Sequence, residues 1–334
     1  MSPADALGAA ILAAVIFYAL LGGADFGGGI WDLLASGPRA REQRALVERA
    51  IAPIWEANHV WLILVVVVLF TAFPPAFSAI STGAFTPLLL FLVGIVLRGG
   101  AFTFRAYDSP DDPVQRRWGL LFSASSALAP VMLGAVVGTL ASGHLRVEDG
   151  IATFSPSAWL GPFEIAVGLF TAALFAFLAA TYLTVEADGD LREDFRRRAI
   201  AAGAAVFALA LGSALLSWRE APVVFHGLTR RAWSLPLHLA TGVAAVAAFG
   251  GLFLRRFRMA RLAAAAQVAL IVLGWGASQY PYLVVPDLTL AGASAPRRTQ
   301  VMLLWALGAG ALVLFPCLHL LMRIFKGPAA GRVR

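Results

Sequence analysis

Nine long apolar stretches, separated by short polar loops, constrain this chain more than any other feature of its sequence. A helix needs about 20 residues to cross the ~30 Å hydrocarbon core of a bilayer. The stretches cover residues 6–34, 51–72, 77–97, 118–141, 161–185, 199–217, 236–254, 262–280 and 301–322. The loops between them leave no room for a soluble domain. We therefore predict an all-α, polytopic membrane protein with nine transmembrane helices in a single transmembrane domain (1–334), arranged as two four-helix bundles and one peripheral helix.

The composition excludes the main classes of soluble protein. Hydrophobic residues make up 60% of the chain and charged residues 13%, whereas a soluble domain carries roughly 25% charged residues. The single cysteine, Cys317, has no partner within the chain for a disulfide, and no cysteine–histidine cluster indicates zinc. The net charge of +7 comes from arginines in the loops, which is typical of membrane edges. We therefore expect no nucleic-acid partner.

The loops differ strongly in charge between the two sides of the predicted membrane. Twenty of the 26 lysines and arginines lie on one side, in loops 35–50, 98–117, 186–198 and 255–261 and in the carboxyl-terminal tail. Loops rich in Lys and Arg stay in the cytoplasm. The bias therefore predicts an amino terminus outside and a carboxyl terminus in the cytoplasm.

Three acids lie inside predicted spans, where a charge is costly and indicates a functional site. They are Asp25, Glu56 and Glu164, and Asp32 follows Asp25 by seven residues on the same helix face. Asp25 and Glu56 both lie in the half of the membrane nearer the arginine-rich loops. We expect the two to lie within one water-mediated step of each other, at the start of a proton-uptake path. The alternative is that each acid bonds a helix backbone or pairs with an arginine.

Two sequence motifs surround these acids. GGADFGGGIW, around Asp25, lacks the lysine of a phosphate-binding loop, and its glycines favour close helix packing or local unwinding. In IAPIWEANHVW, Glu56 and His59 form half of a carboxylate di-iron motif, but the chain has no second copy. The motif leaves a polar and aromatic cluster at a helix start: Trp55, Glu56, Asn58, His59 and Trp61.

Histidines within spans raise the question of haem binding. They are His59, His238 and His319, and no two of them lie on one helix at a spacing suited to two haems. The CxxCH attachment motif is absent from the sequence. We therefore expect this chain to supply neither a haem ligand nor a metal site.

Four segments together resemble subunit II of cytochrome bd-type quinol oxidases, and most closely the cyanide-insensitive branch. They are GGADFGGGIWDLL, IAPIWEANHVWLIL, LRGGAFTFR and QYPYLVVPDLTL. The resemblance covers the whole chain. It implies an electrogenic ubiquinol or menaquinol oxidase of the bacterial inner membrane, which reduces dioxygen to water.

The resemblance also implies how cofactors and partners are distributed. The b-type and d-type haems and the quinol site belong to a partner, subunit I, and this chain binds no cofactor alone. The resemblance is also compatible with a small single-helix accessory subunit and with contacts to lipid and quinone.

Several residues of this chain match family motifs. Trp55 and Glu56 match a Trp–acid pair, Asp25 matches the acid of an Asp-Phe-Gly motif, and Arg98 and Arg105 match arginines at the end of the third span. The implied role of Asp25 and Glu56 is a proton path from the cytoplasm, with Trp55, Asn58, His59, Arg98 and Arg105 in support.

One family position differs in this chain. Some members carry a further acid four residues before Asp25, where this chain has Leu21. The alternative function is a secondary transporter or a proton-coupled channel. Transporters usually show midplane charges and broken helices in both halves, but only the first span here looks broken.

Overall fold

The computed structural model describes residues 2–51, 55–107 and 113–326, and these residues are overwhelmingly helical. The helices are α1 (Pro3–Leu33), α2 (Ala40–Ile51), α3 (Trp55–Asn58), α4 (Val60–Ala72), α5 (Pro74–Gly83), α6 (Phe85–Tyr107), α7 (Pro113–Ser142), α8 (Pro162–Glu186), α9 (Gly189–Glu220), α10 (Pro222–Arg230), α11 (Ser234–Phe253), α12 (Phe257–Gln279) and α13 (Arg297–Lys326). Two antiparallel hairpins pair β1 (Arg146–Glu148) with β2 (Ile151–Thr153) and β3 (Tyr282–Val284) with β4 (Leu288–Thr289).

Eight of the described helices are long and apolar enough to cross a membrane: α1, α6, α7, α8, α9, α11, α12 and α13. A ninth span is formed if α2 and the α3–α4 segment are taken together, across a bend of 54°. The prediction of an all-α, polytopic membrane protein is therefore confirmed.

The structure corrects the bounds of the second and third predicted spans. Within 51–72, the described helix is interrupted at His59, between α3 and α4. The span predicted at 77–97 divides at Ala84, where α5 ends and α6 begins. Pro74 opens α5 and Pro87 lies in the first turn of α6, where proline is tolerated, so α5 is a separate short helix and the third span is α6. Hydropathy averaged over a whole span does not detect such breaks, although Glu56, Asn58 and His59 lie at the first and Ser81, Thr82 and Gly83 precede the second.

Helix α1 lies at the centre of the molecule and packs against α4, α7, α8, α12 and α13. On one flank, α7 packs against both α6 and α8. On the other flank, α8 packs against α9 and α12, and α11 packs against α9 and α12. In α13, none of the most apolar 18-residue segment is buried inside the chain. This helix is therefore the least buried of the eight.

Glycine allows α1 to approach α8 backbone to backbone. A methyl group at Gly27 would overlap the carbonyl oxygen of Phe175 and lie 2.7 Å from the Ala179 Cβ. Small residues are typical of such close contacts between membrane helices. The motif around Asp25 therefore serves helix packing, as the sequence indicated.

We expect Gly27→Ala to destabilise the protein, since α1 and α8 must separate to admit the methyl group. Overpacking typically costs ~1–3 kcal/mol. The apparent melting temperature in detergent should fall by several degrees. Gly250→Ala in α11 is the matched control, because a Cβ there meets nothing within 4 Å, and it should melt as wild type does. Equal melting of the two variants would contradict the close contact.

An ion pair joins the two hairpins on the side opposite the arginine-rich loops. Arg146 donates from Nε to Asp287 Oδ2 at 2.9 Å, and the backbone N–H of Val147 donates to the same oxygen at 2.8 Å. The hydrogen bond from Arg146 is the main reason why the pKa of Asp287 lies below its usual range. The loop of β1–β2 is thereby tied to the turn between β3 and β4.

The stabilisation from Asp287 should disappear at low pH. A carboxyl whose pKa is lowered by folding stabilises the protein above its unfolded pKa, about 3.9, and loses this effect as the pH falls through the folded value. We expect Asp287→Asn to lower the melting temperature slightly above about pH 5, because exposed pairs contribute little. The difference from wild type should shrink below about pH 4. A difference that is constant with pH would contradict this assignment.

Candidate functional site

Asp25 lies in the interior, in the middle of the packed region of α1. Its side chain is 5% exposed, and it accepts a short hydrogen bond from the amide nitrogen of Asn58. The same nitrogen lies 3.4 Å from the carbonyl oxygen of Leu21. Asn58 is the last residue of α3 and is itself buried. The interruption between α3 and α4 therefore places a polar amide against the buried acid.

Arg98 is a fully buried cation beside this acid. Its Nε donates to Ser126 Oγ at 3.1 Å, and its guanidinium lies over the rings of Phe26 and Phe122 at 5.1 and 5.3 Å. It interacts electrostatically with Asp25. A buried charge needs a partner of opposite sign and further hydrogen bonds, and these contacts supply both.

The position of Arg98 corrects the sequence analysis, which counted this residue among the loop arginines. Arg98 lies inside α6 and is 2% exposed. Its position after an apolar run suggests a membrane edge, but the structure buries it between Phe26 of α1 and Phe122 and Ser126 of α7. Sequence alone could not pair Arg98 with Asp25, since the interaction joins α1 to α6.

Three further polar atoms around Asp25 are buried without a hydrogen-bond partner among the described residues. They are Tyr18 Oη, His59 Nδ1 and Arg98 Nη2. The rings of Tyr18 and His59 lie 6.0 Å apart, and Arg98 interacts electrostatically with both. Buried polar groups in proteins are commonly satisfied by ordered water. The centre is therefore suited to hold water between fixed polar groups.

Glu56 faces away from this centre. It precedes Asn58 by two residues, which corresponds to about 200° around a helix axis, and its side chain is exposed. Within the described part of the chain, no hydrogen bond or ion pair reaches it. The structure thus brings Asn58, and not Glu56, against Asp25, and the two acids lie on opposite sides of α3.

Asp32, the second acid of α1, is also buried. Ser123 in α7 donates a hydrogen bond from its hydroxyl to Asp32 Oδ2 at 2.6 Å. One turn further along α7, Ser126 holds Arg98. Neither serine nor Tyr18 was predicted from the sequence. The SASSA segment of α7, a run of small residues rich in serine within an apolar span, could have indicated the two serines, whereas Tyr18 has no comparable signal.

Glu164, the third acid predicted within a span, lies near the start of α8 and is completely buried. Its Oε1 lies 2.8 Å from the Nδ1 of His144. This pair is at the end of the bundle opposite the arginine-rich loops. Glu164 precedes Phe175, the α8 residue that Gly27 contacts, by 11 residues or about 16 Å along the helix, so the pair is separate from the Asp25 centre.

The other predicted site residues fall into two groups. The side chains of Trp55 and Arg105 lie outside the described part of the structure. Trp61 is buried, and its ring stacks on Phe17 with the centroids 4.4 Å apart. His238 bonds locally, since its Nδ1 lies 2.6 Å from the carbonyl oxygen of Ser234.

Among the described residues, no group of three or more His, Cys, Asp or Glu side chains is placed to hold a metal ion. The chemistry that the described centre offers is that of one carboxylate, one guanidinium and several neutral hydrogen-bonding groups. Such a set suits proton transfer through water.

Comparison with known proteins identifies the family. The model of cytochrome bd terminal oxidase subunit II matches residues 5–325. The cytochrome bd ubiquinol oxidase subunit 2 of Bacillus subtilis (strain 168) is 28% identical over 299 residues, which cover 85% of each chain. The cytochrome bd-I ubiquinol oxidase subunit 2 of Escherichia coli (strain K12) is 27% identical over 58% of this chain and 51% of its own.

A solved structure shares the fold. The bd oxidase from Geobacillus thermodenitrificans superposes with a TM-score of 0.79 at 23% identity, covering 96% of this chain and 98% of the matched one. The family model extends over nearly the whole sequence, including the motifs around Asp25, Glu56 and Arg98. The chain therefore belongs to the family of cytochrome bd terminal oxidase subunit II.

Proposed function

We propose that this chain, as subunit II of a bd-type quinol oxidase, conducts protons from the cytoplasm towards the site where its partner subunit reduces dioxygen. Reduction of dioxygen to water consumes one proton for each electron that quinol supplies. The observation that carries the proposal is the buried Asp25, bonded to Asn58 and facing the permanent charge of Arg98. A carboxylate at such depth is costly and indicates function.

Glu56 gives the path an end at the protein surface. This carboxylate is exposed on a segment that otherwise carries apolar side chains, among them Ile63 and Phe70. A carboxylate in contact with lipid tails is strongly unfavourable, whereas a partner protein can offer it hydrogen bonds. We infer that the partner subunit covers this face, and that Glu56 passes protons from the Asp25 centre to it.

The partner supplies the redox chemistry in this proposal. The b-type and d-type haems and the quinol site lie in subunit I, and this chain contributes the proton path and the second half of the complex. Most of the 26 basic residues lie in loops on one side even with Arg98 assigned to α6, which supports a carboxyl terminus in the cytoplasm and an amino terminus in the periplasm of a bacterial inner membrane.

Purification through a tag on this chain tests the assignment. Membranes are solubilised in a mild detergent, and the eluate is examined for partner chains, for its optical spectrum and for quinol-dependent oxygen consumption. We expect a haem-bearing partner in equimolar amount, b- and d-type absorption bands and oxidase activity. A pure chain without haem and without oxidase activity would refute the proposal.

A further inference from the structure

A cavity of about 120 Å³ lies beside Asp25, between α1, α2, α8 and α12. Most of its wall is made of alanine, valine, leucine and isoleucine side chains. The ionisable groups that line it are Asp25, Tyr182, Glu186 and Arg261. Asp25 therefore borders two spaces, the cavity and the polar centre of Asn58 and Arg98.

Glu186 and Arg261 form a pair at the arginine-rich end of this cavity. Glu186 is the last residue of α8, and Arg261 lies near the start of α12. Arg261 Nη1 and Glu186 Oε1 are 3.6 Å apart, and both side chains are about one-third exposed. The guanidinium of Arg261 also lies over the ring of Tyr182, 4.8 Å from its centroid. These contacts hold a carboxylate where the cavity wall meets water.

The cavity is large enough to connect the two acids through water. Gly27 contacts Phe175 and Ala179, so Asp25 lies near the level of these residues on α8. Glu186 is seven residues beyond Ala179, which corresponds to about 10 Å along a helix. Since a water molecule occupies roughly 30 Å³ in the liquid, the cavity has room for several, enough to span this distance by hydrogen bonds.

We propose that Glu186 is the acid through which protons enter this chain, and that Arg261 positions it. The Glu186 carboxylate takes a proton from bulk water and gives it to water in the cavity, from which the carboxylate of Asp25 receives it. No electron or covalent bond is transferred in these steps. The inference rests on the proposed proton path, and it gives that path an entrance within this chain, on the other side of Asp25 from Glu56.

Activity of the whole oxidase complex, expressed per haem, provides the first test. Glu186→Gln should slow quinol oxidation about 10-fold. This is less than the ~10²-fold typical of a buried proton-transfer group, because bulk water can still deliver protons to the arginine-rich end of the cavity. Glu186→Asp should recover most of the rate. Arg261→Gln should keep most of it, since the carboxylate remains. A purely structural pair predicts instead lower yield and normal activity per haem in both Glu186→Gln and Arg261→Gln.

Filling the cavity is the second test. Ala50 of α2 lines the cavity, and Ala45 on the same helix is exposed. Ala50→Leu should lower turnover per haem several-fold, whereas Ala45→Leu, the same change outside the cavity, should leave it normal. Equal turnover in these two variants would overturn the inference.

Thiol labelling tests the cavity without reference to activity. The native Cys317 is first replaced by serine, and Ala50→Cys is then introduced. A membrane-impermeant thiosulfonate reagent reacts with a thiolate, which needs water. We expect labelling in inverted vesicles, where the arginine-rich side faces the medium, and none in right-side-out vesicles. An unreactive thiol in both preparations would show a dry or lipid-filled cavity and overturn the inference.

Different results would refute the proposed entrance at Glu186 and the proposed proton path through Asp25. If Asp25→Asn slows turnover but Glu186→Gln and Ala50→Leu do not, protons reach Asp25 by another way, and only the entrance is refuted. If Asp25→Asn turns over normally per haem, the proposed proton path itself is refuted.

Discussion

Asp25→Asn is expected to lower quinol oxidation per haem about 10²-fold, the effect typical of a lost proton-transfer group. Asparagine has the shape of aspartate and can still accept the hydrogen bond from Asn58, but it cannot bind and release a proton. Oxygen consumption by the purified complex measures the change. Asp5→Asn is the control, because Asp5 is an acid on the same helix that caps its exposed start, and turnover should stay normal there.

The same substitution also affects stability, because it leaves Arg98 buried without its acid. Removing one of two buried opposite charges is destabilising because it leaves the other uncompensated, so the yield of complex should fall. The double variant Asp25→Asn with Arg98→Gln removes both charges. We expect it to recover yield but not turnover per haem. Recovery of turnover in the double variant would show that Asp25 serves only to neutralise Arg98.

Glu56→Gln should lower turnover per haem by a similar factor of about 10², and for a different reason. Glu56 lies on the outer face of α3, so its loss interrupts delivery to the partner and leaves the Asp25 centre intact. The complex should assemble with its full haem content. Glu56→Asp should retain part of the rate, because a water molecule can bridge the shorter side chain. Glu56→Leu should abolish turnover more completely than the amide does.

The alternative role of Glu56 is to pair with a cation of the partner subunit. In that case Glu56→Gln would weaken assembly and lower the yield, and the surviving complex would turn over normally per haem. Yield and turnover are therefore measured together for wild type and the three Glu56 variants. Normal activity per haem in Glu56→Gln would remove this residue from the path.

The sequence predicted the parts of this protein that depend on local patterns. Apolar stretches of sufficient length predicted a polytopic helical protein, because in a bilayer each helix satisfies its own backbone hydrogen bonds. The same reasoning found Asp25 and Glu164, since any charge within such a stretch stands out. It also indicated that the glycines around Asp25 serve close packing, which the contact of Gly27 with α8 confirms.

Features that depend on contacts between distant segments could not be predicted in this way. Arg98 has the sequence context of a membrane-edge arginine, and its burial depends on contacts with Phe26 of α1 and with Phe122 and Ser126 of α7. The sequence predicted Glu56 near Asp25 and did not single out Asn58 as a partner, because the face of α3 that meets α1 depends on how the two helices pack. Glu186 and Arg261 were hidden among loop charges, and their pairing depends on the packing of α12 against α8.

The backbone contact between Gly27 and Phe175 has a mechanical consequence. Transporters of the alternating-access type work by rocking one helical bundle against another. Here α1 and α8 meet without intervening side chains, next to Gly28 and Ala179 in the cavity wall. Helices in such contact cannot slide past each other without losing it. Movement of the helices is thus not required for what this site is proposed to do. The proposed proton path therefore works in a rigid helix bundle, in which only protons and water molecules need to move.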